Sequence, residues 1–117
     1  MDRHAAMRGM YAAFNRRDIE AVVAAMTPDV EWPSSWEGGI VRGHPAVRDY
    51  WTRQWAAIDP TVTPEGFEED ADGRLRVRVR QTIRDLAGKV VSDQRVVHVY
   101  AFEGEFIRSM EIQPGEN

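Results

Sequence analysis

Hydrophobic residues in the first part of the chain recur at the spacing of amphipathic helices. A first helix is predicted over residues 2–16, with its apolar stripe at Met7, Met10, Tyr11 and Phe14. Asp18 is a favourable N-cap residue, and it precedes a short second helix predicted over residues 19–26. The segment 27–29, Thr-Pro-Asp, is expected to end this helix.

A third helix is predicted after two short strands, which lie over residues 30–32 and 40–41 and are joined by a loop. Gly43-His44-Pro45 begins the helix, since proline suits the first helical position, and the helix ends before Pro60. The residues at helical spacing that are expected to face the core are Val47, Tyr50, Trp51, Gln54, Trp55 and Ile58.

The second half of the chain changes to the alternating pattern of β-strands. Strands are predicted over residues 61–68, 74–85, 89–102 and 105–112, with turns at Asp72-Gly73, Ala87-Gly88 and Glu103-Gly104. No crossover helix separates the later strands, so they are expected to form an antiparallel meander. The predicted fold class is therefore α+β, with three N-terminal helices packed on a curved, mostly antiparallel sheet.

Composition and charge exclude several classes of protein. The chain has 117 residues, 43% of them hydrophobic and 29% charged, which suits a single domain over residues 1–117. There is no cysteine, which excludes disulfides, thiolate metal sites and cysteine nucleophiles. The net charge of −4 argues against nucleic-acid binding. Neither a signal peptide nor a membrane span is predicted, so we expect a cytoplasmic protein with no membrane partner.

One predicted strand carries a row of arginines, at positions 74, 76, 78, 80 and 84. Leu75, Val77 and Val79 alternate with them, so the arginines share one face of the strand and the aliphatic residues the other. The charged face is interpreted as solvated or as a subunit contact, with an anion site as the alternative.

Four phrases occur in order along the chain: YAAFNRRD at 11–18, MTPDVEW at 26–32, RGHPAV at 42–47 and VHVYAFEG at 97–104. Their order and spacing resemble those of SnoaL-like members of the nuclear transport factor 2-like superfamily. The resemblance covers nearly the whole chain. It implies a cone-shaped α+β barrel of the cystatin-like kind, open at one end and often dimeric through the outer face of its sheet.

The resemblance implies function only broadly, because one fold carries many activities. Relatives include steroid isomerases, polyketide cyclases, epoxide hydrolases, dehydratases and non-catalytic binding domains. We accordingly expect a homodimer, no cofactor, and a small apolar or aromatic molecule as the partner.

Four tryptophans and their neighbours are the candidate walls of a ligand pocket. Several large rings near the mouth of a conical sheet suit a flat or apolar ligand. The same rings also suit the core of a small domain, which is the alternative interpretation. The candidate ligand-binding residues are Trp32, Trp36, Tyr50, Trp51, Trp55, His98, Tyr100 and Met110.

His98 is the candidate catalytic residue, since it lies within an apolar strand and the other two histidines do not. A buried imidazole suits acid–base chemistry, ligand binding or a satisfied place in the core. Its orientation depends on the preceding hairpin. A two-residue turn pairs His98 with Val77 and turns it inward, whereas a three-residue turn pairs it with Arg76 on the charged face. We favour the first pairing, because it buries the neighbouring aromatic residues together with His98.

The acidic residues offer no evident partner for His98. Asp93 is predicted to point outward and Asp49 to face solvent. Glu31 lies on a predicted strand, and Glu37 is placed on the loop at the predicted mouth. The histidines are scattered without the spacing of metal ligands, so no metal site is expected.

Three functional hypotheses follow from these residues. The first is a pocket protein that binds an apolar or aromatic ligand. The second is a cofactor-free isomerase, cyclase, dehydratase or hydrolase in which His98 carries the proton. The third is a dimeric interaction domain with a vestigial pocket.

Overall fold

The structure is a computed structural model that describes residues 2–34 and 36–115. Its three helices are α1 (Arg3–Asn15), α2 (Ile19–Val23) and α3 (Gly43–Ala57). Asp2 caps α1 through the N–H groups of its first turn, and Asp18 caps α2 in the same way, as predicted. No helix in the described part of the chain is long and apolar enough to span a bilayer.

Six strands form one sheet in the order β2-β1-β6-β5-β4-β3. They are β1 (Met26–Pro33), β2 (Ile40–Arg42), β3 (Asp59–Glu69), β4 (Leu75–Arg84), β5 (Val90–Glu103) and β6 (Phe106–Pro114). All neighbouring pairs are antiparallel except β1 and β6, which run parallel. The α+β class and the cystatin-like arrangement are confirmed. The sheet is not closed into a barrel, because β2 and β3 remain as its edges.

The boundary between α2 and β1 was predicted wrongly. The helix ends at Val23, and the segment expected to follow it as a helix terminus belongs instead to β1, which begins at Met26. The physical cause is pairing with a distant strand. Met26 lies opposite Ile107 of β6, and the Ile107 N–H donates to the carbonyl of Ala25 at 2.8 Å. Sheet pairing of this kind overrides a local helical pattern.

The pairing of β4 with β5 turns His98 inward. Val77 lies opposite His98, as the favoured register predicted. The residues that share the inner face are all buried: Leu75, Val77, Val79, Val96, His98 and Tyr100. Because side chains alternate along a strand, the arginines of β4 lie on the opposite, outer face.

The loop that sets this register differs from the predicted two-residue turn. The Asp85 N–H donates to the carbonyl of Lys89 at 2.8 Å, which closes a three-residue loop, and Gly88 takes the left-handed φ of 93° that such a loop needs. Alone, this loop would shift the pairing by one residue. A β-bulge at Val91 adds one residue to β5 and restores the inward-facing pairing.

Helices α1 and α3 cover the inner face of the sheet. Most residues of their predicted stripes are buried, with Tyr11 and Trp51 each 2% exposed. Phe14 and Trp55 are only partly buried, and Ile58 lies just beyond α3 as its C-cap. Asn15 adds a polar attachment at the end of α1. Its side-chain amide pairs with both backbone groups of Val62 on the edge strand β3, at 2.8 and 2.9 Å. The amide thereby satisfies backbone groups that an edge strand otherwise leaves unpaired.

Ion pairs cover the outer face of the sheet. Arg80 of β4 pairs with Asp93 of β5, and Arg95 of β5 pairs with Glu65 of β3. Arg74, one residue before β4, pairs with Glu111 of β6. Asp93 therefore points outward, as predicted. Pairs as exposed as these contribute little to stability, so they mainly define the polar face of the sheet.

Candidate functional site

A cavity of about 60 Å³ lies between the helices and the inner face of the sheet. That volume holds a handful of water molecules. Most of its walls are apolar or aromatic, among them Met10, Phe14, Trp32, Trp51, Val62 and Met110.

Within the residues that the structure describes, none of the polar side chains that line the cavity is an acidic residue, a lysine or an arginine. These side chains belong to Tyr11, Tyr50, Gln54, Gln81, His98 and Tyr100. A charged ligand would therefore lose its hydration without gaining an ionic partner, which is costly in an apolar site.

Tyr11, His98 and Tyr100 form a buried hydrogen-bonded cluster, here called the Tyr–His–Tyr cluster. The Tyr11 hydroxyl lies 2.8 Å from His98 Nδ1 and 2.7 Å from the Tyr100 hydroxyl. The Tyr100 hydroxyl lies 3.5 Å from the same Nδ1. Tyr11 is on α1, while His98 and Tyr100 are two residues apart on the inner face of β5. The cluster therefore joins the first helix to the centre of the sheet.

Burial keeps every member of the cluster neutral. It lowers the pKa of His98 from 6.5 to about 4, because desolvation penalises the imidazolium. It also raises the pKa of both tyrosines, and for Tyr11 the neighbouring Tyr100 raises the pKa further. At neutral pH the cluster consists of one neutral imidazole and two protonated hydroxyls.

The tryptophans predicted for the pocket divide into two groups. Trp32 and Trp51 both line the cavity, with ring centroids 5.6 Å apart and planes at 84°. Trp55 lies behind Trp51, stacked at 5.8 Å, and does not reach the cavity. The Arg17 guanidinium covers it from outside, 4.9 Å from the ring centroid. Trp55 thus supports the wall instead of forming it.

Trp36 lies on the surface with 42% of its area exposed, and it does not line the cavity. Its backbone N–H nevertheless donates to the Tyr50 hydroxyl, 3.1 Å away, and Tyr50 is a wall residue. The neighbouring Glu37 accepts two hydrogen bonds of 2.8 Å from Arg53 on α3. The structure therefore fastens the loop between β1 and β2 to α3 beside the cavity.

The structure brings six of the eight predicted ligand-binding residues to the cavity: Trp32, Tyr50, Trp51, His98, Tyr100 and Met110. Two features of the site were not predicted from the sequence. Tyr11 is the hydrogen-bond partner of His98, and the cavity walls are completed by Met10, Gln54 and Gln81. For Tyr11 and Met10 a signal existed, because both lie on the predicted apolar stripe of α1. For Gln81 a signal existed as well, because it continues the inward alternation of Leu75, Val77 and Val79 along β4.

Carboxylates lie away from the cavity in the described part of the chain. Glu31 pairs with Arg42 at 3.2 Å, and Glu37 and Asp93 are paired as described above. The Arg53 and Arg80 guanidiniums lower the pKa of Glu37 and Asp93 respectively, through hydrogen bonds. No three His, Cys, Asp or Glu side chains of the described residues come together as a metal site would require.

Acidification is predicted to destabilise the fold through His98. The unfolded chain takes up a proton near pH 6.5, whereas folded His98 resists protonation until about pH 4. The stabilisation is therefore complete above pH 6.5 and is lost as the pH falls towards 4. Urea denaturation should show a loss of about 2 kcal/mol from this group between about pH 7 and 5.

His98→Gln should remove this part of the pH dependence, because the amide does not titrate. Val96→Ala is the matched control, since it truncates a buried residue of the same strand face and removes no titratable group. It should lower stability equally at both pH values. Equal pH dependence in the wild type and in His98→Gln would contradict the assignment.

Comparison with known proteins identifies the family of this chain. The family model for the SnoaL-like domain matches residues 7–110. No curated protein sequence matches significantly. Among solved structures, an NTF2-like protein of unknown function from Burkholderia pseudomallei has a TM-score of 0.83 at 26% identity, covering 98% of this chain and 92% of that one.

Two further similar structures contain small molecules. TerC, co-crystallized with polyporic acid, has a TM-score of 0.83 at 25% identity, covering 98% of this chain and 92% of its own. A Mycobacterium tuberculosis protein in complex with estradiol-17beta-hemisuccinate has a TM-score of 0.77 at 21% identity, covering 92% and 89%. The latter similarity concerns the fold alone. Because the family model spans most of the sequence and the fold matches, the chain belongs to the SnoaL-like domain family.

Proposed function

We propose that this chain binds a small, neutral, largely apolar ligand in the cavity between α1, α3 and the sheet. The observation that carries the proposal is a cavity with aromatic walls, several uncharged polar groups and no ionic side chain among the described residues. Sites for small molecules typically combine apolar walls with a few placed polar groups. That TerC was co-crystallized with polyporic acid supports small-molecule binding by this fold. The neutrality of the ligand rests only on the lining of this chain's own cavity.

The size of the cavity limits the ligand. At about 60 Å³ it is smaller than an engineered cavity of roughly 150 Å³ that binds benzene. A single aromatic ring therefore requires the walls to move. Met10 and Met110 both line the cavity, and methionine side chains adapt readily because they are unbranched and have three rotatable bonds.

Proton transfer by His98 has less support than binding. A general base works best when its pKa lies near the working pH, whereas burial lowers the pKa of His98 to about 4. The hydrogen bond with Tyr11 also occupies Nδ1. The same cluster is well suited to a fixed polar contact with a ligand.

A second candidate function is an interaction domain whose cavity holds no ligand. The small volume favours it, since a vestigial pocket would be filled by its own side chains. Ligand titration separates the two candidates.

Acetophenone is the first probe, because it is neutral, has a single ring and carries one hydrogen-bond acceptor. We expect saturable binding at about pH 7.5, measured by isothermal calorimetry and by the fluorescence of the tryptophans, because two indoles line the cavity. Benzoate, with the same ring and a charge, should not bind measurably. Absence of saturation with acetophenone, or equal binding of benzoate, would reject the proposal.

Two buried methionines provide a matched pair of variants. Met110 lines the cavity, while Met7 is buried elsewhere in the core. Met110→Ala and Met7→Ala should each cost about 2–5 kcal/mol of stability. Only Met110→Ala should bind 2-acetonaphthone more tightly than the wild type, by about tenfold, because its second ring then enters space that Met110 filled. Equal affinities of the two variants would place the ligand elsewhere.

A further inference from the structure

The Tyr–His–Tyr cluster contains three polar hydrogens and a small number of acceptors. Each tyrosine hydroxyl carries one hydrogen, and a neutral imidazole carries one, on either Nδ1 or Nε2. Within the described residues, the only hydrogen bonds of these groups are those among Tyr11, Tyr100 and His98 Nδ1. The two hydroxyl hydrogens must therefore find their acceptors within the cluster itself.

One distribution satisfies both hydroxyls. Tyr100 donates to the Tyr11 oxygen over 2.7 Å, and Tyr11 donates to His98 Nδ1 over 2.8 Å. The imidazole hydrogen then lies on Nε2. Every hydroxyl hydrogen has an acceptor, and His98 Nδ1 uses its lone pair.

The opposite distribution leaves a buried hydroxyl unpaired. If Nδ1 carried the hydrogen, it would donate to Tyr11, and Tyr11 would donate to Tyr100. The Tyr100 hydroxyl would then have no acceptor within the described residues, although Tyr100 is 0% exposed. An unsatisfied buried donor is costly, so the first distribution is favoured.

Nε2 is the ring nitrogen of His98 that the cluster leaves available. His98 lines the cavity, and Nε2 makes no hydrogen bond within residues 2–34 and 36–115. The fully enclosed side-chain atoms without a partner in that part of the chain are Thr27 Oγ1, Ser34 Oγ and Trp55 Nε1. Since Nε2 is not among them, it retains accessible surface and can reach a ligand.

We infer that Tyr11, supported by Tyr100, holds His98 as the Nε2–H tautomer, so that the cavity presents a hydrogen-bond donor and selects neutral ligands with an acceptor such as a carbonyl oxygen. This inference rests on the proposed function and specifies the class of ligand. Tyr11 acts through His98 and is a positioning residue, because the hydrogen bond at one ring nitrogen determines which nitrogen carries the proton.

The tautomer is measured without any ligand, by nitrogen-15 NMR of the imidazole in histidine-labelled protein. Comparison with His98→Gln identifies the signals of His98 among those of the three histidines. We expect a protonated Nε2 and an unprotonated, hydrogen-bonded Nδ1. A protonated Nδ1 in the wild type would overturn the inference whatever the ligand results.

Tyrosine variants test which hydroxyl determines the tautomer. Tyr100→Phe should leave the Nδ1 signal nearly unchanged, because Tyr11 still donates. In Tyr11→Phe/Tyr100→Phe the Nδ1 resonance should shift to that of a nitrogen accepting no hydrogen bond. The double variant is used because the Tyr100 hydroxyl, 3.5 Å from Nδ1, can replace Tyr11 in the single one. An unchanged signal in the double variant would exclude Tyr11 as the positioning residue.

If the double variant does not fold, the wild-type and Tyr100→Phe spectra still decide the tautomer. The contrary result is a shift of the Nδ1 resonance in Tyr100→Phe as large as the loss of a hydrogen bond produces. That result would identify Tyr100 as the donor to Nδ1 and would overturn the role of Tyr11.

Ligand selection is tested with two probes of the same shape. Acetophenone carries a carbonyl oxygen where α-methylstyrene carries a methylene group. Acetophenone should bind about fivefold more tightly, the value of one neutral hydrogen bond of about 1 kcal/mol. Equal binding of both probes would overturn the ligand preference while leaving the proposed pocket intact. Binding of neither would reject the pocket, and the tautomer would then stand or fall on the NMR result alone.

Discussion

The hydrogen bond between Tyr11 and His98 is the contact on which the interior of this protein depends. It joins the first helix to the middle of the longest strand, 87 residues apart in sequence, at 2.8 Å. The contact exists only because β5 is in the register that turns His98 inward, and that register in turn depends on a bulge at Val91. A buried imidazole without such a partner would be costly. Helix placement, strand register and cavity are thus parts of one arrangement.

Neutrality is the constraint that this arrangement imposes. Burial lowers the pKa of His98 and raises those of Tyr11 and Tyr100, so the three groups are uncharged together near neutral pH. The arginines and acids lie outside, where they pair on the outer face of the sheet or along the surface helices. Charge is therefore separated from the cavity by the sheet on one side and by the helices on the other. A site of this kind suits recognition through shape and a single hydrogen bond better than it suits ionic chemistry.

Much of the fold was predictable from the sequence, because local periodicity recorded which faces are buried. The stripes of α1 and α3 and the alternation in β4 and β5 were assigned correctly, as was the orientation of His98. The orientation of His98 was predicted correctly although the hairpin has a three-residue loop. The pattern of buried side chains selects the register, and that pattern was assigned correctly.

The start of β1 was missed because its partner, β6, lies some eighty residues away and leaves no local signal. Trp36 and Trp55 show that aromatic residues near a predicted mouth need not line it. The sequence placed Tyr11 on the buried stripe of α1 but did not pair it with His98, since proximity between a helix and a strand emerges only from packing.

The central claim is that a neutral ligand enters the cavity and contacts the Nε2–H of His98. A crystal structure of the protein soaked with acetophenone tests it most directly. The ring should lie against Trp32 and Trp51, with the carbonyl oxygen about 3 Å from His98 Nε2. Acetophenone bound only on the outer face of the sheet, with the cavity unchanged, would contradict it.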